Sequence, residues 1–189
     1  MCAYAFKLHP FKSQGEVNSA EICQSLGSRA KSTVVLRMVL PSRSSYSFDD
    51  SISGGHDTTG LSYRSMCQVT GDSNKILLNA RTESLASESG ASWLKWVKTT
   101  ALSDGFVRSL TSFPAGAEAV ASGNFAAIFI PCISEVENRS QQYNISLSVE
   151  LGRPGGDSTR SELIKLAKNA ANFAHGKAGC DMPLELPNR

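Results

Sequence analysis

Long apolar runs are missing from this chain of 189 residues. The longest candidate, residues 125–133, falls well short of the roughly 18 residues that a membrane-crossing helix needs, and reads as a strand. Histidine is scarce: His9, His56 and His175 form no HxxxH or HExxH pair. The five cysteines at 2, 23, 67, 132 and 180 form no CxxC pair, so no zinc site is written into the spacing. A GxSxG elbow is absent, and Gly152-Arg-Pro-Gly-Gly lacks the GxxxxGK[ST] pattern of a phosphate loop. Charge of one sign is also lacking, with 19 basic residues against 17 acidic and a net charge of +2. No segment gathers five or six like charges, which argues against a basic arm for nucleic acid.

Each absence shapes an expectation. The first residues, MCAYAFKLHPFK, lack the basic-then-apolar order of a secretory signal. Together with an odd cysteine count, that predicts free thiols in a reducing compartment, with Cys132 as a small core residue. The sequons at Asn138 and Asn144 are then expected to stay unmodified. Ser53, His56 and Asp57 supply the residue types of a hydrolytic triad but lie in one Gly-rich loop, whereas a triad is defined by geometry in space. The chain is expected to be no enzyme, with no cofactor and no metal.

What is present is a globular composition, 41% hydrophobic and 19% charged, arranged in short periodic segments. Residues 1–15 read as an extended arm. Asn18 and Glu21 form a capping-box pattern for a short helix ending near Gly27. Residues 33–40 (TVVLRMVL) are β-branched and apolar, predicting a strand stopped by Pro41. A loop rich in Ser, Gly and Asp follows. Further strands are predicted at 65–70, 75–80, 92–99 and 106–113, with a turn at 71–74. Residues 114–123 (PAGAEAVASG) read as one or two helical turns. Residues 125–132 (FAAIFIPC) fit a strand buried on both faces, and a polar loop leads to residues 143–151. There Ile145, Leu147, Val149 and Leu151 alternate with polar residues, the cleanest amphipathic strand in the chain. Thr159 and Glu162 open a helix with Leu163, Leu166, Ala167, Ala170 and Ala174 on one face, which Gly176 can end. Seven or eight strands with peripheral helices predict a mainly β sandwich or barrel.

Two groups of residues are candidates for contact with a partner. Arg153, Arg160, Lys165, Lys168 and Lys177 would make a weak phosphate-facing patch toward RNA; the plainer alternative is a solvated helix face whose lysines suit the helix dipole. Trp93 and Trp96 would serve as interface anchors, although core packing is the commoner fate of such side chains.

Three features resemble the jelly-roll coat proteins of small icosahedral plus-strand RNA plant viruses, of the picorna-like nepovirus and comovirus kind or tymovirus-like. These are an arm leading into TVVLRMVLP, the small-residue segment PAGAEAVASG, and the closing pair FAAIFIPC and YNISLSVELGRP. The resemblance spans roughly residues 33–155. It implies an eight-stranded antiparallel jelly-roll sandwich with short peripheral helices and extended termini. The implied division is an arm and short helix over 1–30, the sandwich over 31–155, and a helix and tail over 156–189. The implied function is a capsid subunit that self-assembles into an icosahedral shell around genomic RNA. Its partners would be copies of itself, sister coat proteins and, weakly, RNA, with no membrane, in the virion and the host cytoplasm. The other reading is a cytosolic β-sandwich binding module for carbohydrate or protein.

Overall fold

The computed structural model describes residues 15–55, 62–72, 74–86, 88–103, 109–136 and 139–187. Residues 1–14 of the arm expected over 1–15, together with His56, Asp57 and Asn138, lie outside them. The chain is mainly β, as the sequence predicts. Seven antiparallel strands form one sheet: β1 (Tyr46–Ser53), β2 (Arg64–Gly71), β3 (Ile76–Leu85), β4 (Thr111–Ser112), β5 (Glu118–Ala121), β6 (Phe125–Val136) and β7 (Arg139–Leu151). Their order across the sheet is β1-β2-β3-β7-β6-β5-β4. Eight strands in the two packed sheets of a jelly roll are not what the described residues form. Residues of helices from both ends of the chain share the core of the sheet.

Helices α1 (Arg29–Val39) and α3 (Asp157–Ala178) cover one face, and α2 (Gly90–Ser103) lies on the other. The alternation of β7 decides the faces. Ile145, Leu147, Val149 and Leu151 point into the main core, opposite Ile130, Ile128 and Ala126 of β6 and Leu78 of β3. From above, α3 contributes Leu163, Leu166, Ala167, Ala170, Ala171, Ala174 and Ala178, all buried. The five alanines in that stripe follow one another at intervals of one turn or less, and such small side chains let a helix lie close to the strands beneath it. The helix continues two residues past Gly176 and ends at Gly179, whose left-handed φ of 68° suits glycine.

Three expected strands or loops fold otherwise. Residues 33–39 belong to α1 and Leu40 ends it, because Ser32, Val35, Leu36 and Val39 form a buried stripe at helical spacing. Residues 92–99 belong to α2, where Trp93, Val97 and Ala101 recur every four residues and meet Val120, Phe125, Ala127 and Phe129. Conversely, the polar stretch beginning at Tyr46 is the edge strand β1. Pairing with β2 along all eight of its residues makes it a strand despite its composition. Of the expected strand at 106–113, residues 106–108 lie outside the described part and only Thr111–Ser112 pair. Residues 114–123 make bends and β5 rather than helical turns. The Asn18 carbonyl oxygen of the side chain accepts the Ala20 N–H at 3.0 Å, and its amide donates to Glu21 at 3.1 Å. These bonds close a turn, and only a 3-10 turn, Gln24–Leu26, follows. Asp50 of β1 caps that turn, accepting from the Gln24 N–H at 2.6 Å and the Ser25 hydroxyl at 2.6 Å. The expected polar loop after β6 is instead shortened by a long β6–β7 hairpin, paired from Phe125↔Glu150 to Val136↔Arg139.

Four cysteines correct the expectation of free thiols. Cys23 is bonded to Cys67 of β2, and Cys132 of β6 to Cys180 just beyond α3. The first ties the segment before α1 to the sheet; the second fixes the start of the C-terminal tail. Asn144 is buried and donates its side-chain amide to Glu88 O at 2.9 Å, so in the folded chain it is closed to glycosylation.

Candidate ligand groove

An open groove of about 1100 Å³ lies on the helical face of the molecule. Its walls are α1, the stretch of α3 from Arg160 to Asn172, the end of β4 with the residues after it, and the tail at Leu184 and Leu186. The apolar lining begins with an unusual feature of α1. Its buried stripe is complete, yet Val34 and Met38, one turn apart on the outward side, remain 58% and 53% exposed. Ile164 of α3 and Phe113 continue this surface.

The cations come from both helices. Lys31 stands one turn before Val34, and Arg160, Lys165 and Lys168 project from α3. Glu162 is the lining carboxylate, held by Lys165 at 2.6 Å. Its Oε2 is buried and has no hydrogen-bond partner among the described residues. The Arg160 guanidinium is steered by long bonds of 3.4 Å to the carbonyls of Thr111 and Ala121. Lys168 donates to the Pro187 carbonyl, and partial burial pushes its ammonium below the ordinary lysine value.

The tail is irregular, as expected, but it is held. Leu184 and Leu186 pack on the main core. The Gly116 N–H donates to Glu185 O at 2.8 Å, the Asp181 N–H to Ile133 O at 2.8 Å, and the His175 ring contacts Met182 O at 2.7 Å. With the Cys132–Cys180 bond, these contacts make the tail a fixed wall of the groove.

The predicted basic patch is thus brought together in part. Arg160, Lys165 and Lys168 share the groove, whereas Arg153 and Lys177 do not line it. Arg153 instead donates to Val39 O at 2.8 Å, fastening the loop after β7 to the end of α1. Lys177 is exposed at the far end of α3. Of the two tryptophans, Trp93 is fully buried, donates its indole N–H to Ser146 Oγ at 2.8 Å and lies 5.4 Å from the Phe129 ring. It is a core residue, while Trp96 is 50% exposed on the outer side of α2. Ser53 closes β1, and its supposed triad partners lie outside the described residues. Lys31, Val34, Met38, Leu184 and Leu186 were missed by sequence reasoning. The spacing 32-35-36-39 carried the signal, since it marks a helix on which 31, 34 and 38 face away.

Among the described residues no group of three His, Cys, Asp or Glu side chains is placed to hold a metal ion, and no helix is long and apolar enough to cross a membrane. No family model, no curated protein and no solved structure matches this chain.

Proposed function

We propose that this chain is a non-catalytic binding module whose site is the α1–α3 groove and whose ligand is amphipathic and anionic. One observation carries the reading: exposed apolar side chains and a cluster of four cations line the same groove. An apolar ligand alone leaves the cations without a role, and a purely charged one leaves Val34 and Met38 in water. Ligand sites characteristically pair apolar walls with a few convergent polar groups. The two disulfides support folding in an oxidising compartment rather than in a reducing one.

The three segments that carry the coat-protein resemblance fold in different ways. The closing pair is the β6–β7 hairpin, but TVVLRMVLP is mostly α1 and PAGAEAVASG makes bends and β5. The test of the binding reading uses anilinonaphthalene sulfonate, an anionic amphiphile, with the purified full chain. Its fluorescence should rise on mixing, and Val34→Asp with Met38→Asp should weaken binding at least tenfold while the far-UV spectrum stays unchanged. Equal binding by the variant refutes the groove as the site. Sedimentation velocity of the same sample should show a small species; closed shells would replace this reading with that of a coat subunit.

A further inference from the structure

Resting on the groove as a binding site, we propose that its natural occupant is a short acidic segment of a protein partner, laid extended beside the chain's own tail. The tail itself is the first argument. Leu184 and Leu186 turn inward while Glu185 between them stays exposed, so the groove already holds an extended, alternating, acidic-apolar piece of chain. Spacing is the second. Val34 and Met38 stand one helical turn apart, a rise of about 6 Å, and alternate side chains of an extended segment are about 6.6 Å apart. Two inward-facing side chains of such a segment therefore match the two exposed positions of α1.

Charge is the third argument. Lys31 and Arg160 have no carboxylate partner among the described residues, and only Lys165 of the four cations is paired. Acidic side chains at the outward-alternating positions of the partner would supply the missing counter-charges.

The test pans a random 12-residue peptide library, displayed on phage, against the oxidised full chain. Selected clones should carry apolar residues two apart with Asp or Glu between and beside them. Synthetic copies should lose at least tenfold in affinity on Val34→Asp with Met38→Asp, and again on Lys31→Glu with Arg160→Glu. Replacing the peptide's acids with lysine should restore binding to the charge-reversed protein, which a merely misfolded variant would not do. Basic or neutral clones, or clones indifferent to both variants, overturn the proposal. Dodecanoate is titrated in parallel. If it binds in a manner that depends on Val34 and Met38 while no acidic peptide does, the peptide inference falls and the groove reading stands. If neither binds, both fall.

Discussion

Replacing Trp93 with alanine tests the placement of α2 against the sheet. The side chain is fully buried between α2 and the β5–β6 strands, with its ring against Phe129 and its N–H on Ser146. Truncating a buried tryptophan costs about 3–5 kcal/mol through lost transfer energy and the cavity left behind. The Ser146 hydroxyl, in a residue only 7% exposed, then loses its donor, at a further cost of about 1 kcal/mol or more. The expected loss for Trp93→Ala is therefore about 4–6 kcal/mol, a large part of the roughly 5–15 kcal/mol that holds a domain together.

Trp93→Phe separates the terms, because it keeps an aromatic ring and removes the N–H. It should cost about 1–2 kcal/mol, and Ser146→Ala should cost about as much by stranding the indole. The double variant should be less destabilised than the sum by about 1 kcal/mol, the signature of a direct bond. Urea unfolding followed by far-UV circular dichroism gives all four stabilities. Hydrogen exchange should show the loss of protection concentrated in α2, since Val97, Ala101 and the partly buried Leu94 are left to hold it. A cost below about 1.5 kcal/mol for Trp93→Ala, or strict additivity in the cycle, would refute the packing of α2 on β5 and β6. Trp96 faces outward on the same helix, so Trp96→Ala, expected within about 0.5 kcal/mol of neutral, is the matched control.

Four further outcomes follow from other parts of the molecule. Cys132→Ser with Cys180→Ser opens a crosslink spanning 48 positions and should cost about 2–4 kcal/mol; peptide mapping without reductant should first recover 23–67 and 132–180 as pairs. Gly123→Ala places a methyl against the Gly155 carbonyl, inside any allowed contact, and should cost about 1–3 kcal/mol in denaturant titration. Tyr143 donates to Ala178 O at 2.7 Å, and burial, then the Asp181 charge, raise its phenol above the usual 10.0. Its contribution is present below pH 10 and is lost as pH climbs through the raised value, so Tyr143→Phe should cost about 1 kcal/mol at neutral pH and flatten the alkaline fall in stability. Lys168, whose pKa is lowered by burial, should lose its charge before an ordinary lysine does. Affinity for an anionic ligand should therefore begin to weaken below the usual lysine range, and Lys168→Arg should remove that step.

The strands that were legible in the sequence are those whose alternation coincides with full burial of one face. In β7 every second residue enters the main core, and in β6 both faces are covered, by α3 on one side and α2 on the other. Pattern and burial agree there. β1 was not legible because its outer-edge position leaves Ser47, Asp49, Ser51 and Ser53 exposed or nearly so, and only Tyr46 and Phe48 pack against the core; pairing with β2, invisible in composition, makes it a strand. The disulfides were illegible for a similar reason. Their members lie 44 and 48 positions apart, and the fold alone brings them together. In the candidate site, the α3 cations were readable from helical spacing. Arg153 and Lys177 were not separable from them, because the first is drawn off by a carbonyl at the end of α1 and the second lies beyond the groove.

The misreading of α1 bears directly on function. A helix packed beside α3 on the main core needs one apolar stripe, and Ser32, Val35, Leu36 and Val39 supply it. Had positions 34 and 38 been polar, the period of 3.6 would have been plain. Valine and methionine there erase the polar face and make the segment look like a buried strand, while adding nothing to the core they face away from. Scattered exposed hydrophobic residues are common, but these two lie one turn apart and open onto the groove that also collects Lys31, Arg160, Lys165 and Lys168. Apolar side chains that folding leaves uncovered beside convergent charges fit a surface completed by another molecule. The residues that hid the helix from its sequence pattern are thus the same ones that point to what the helix is for.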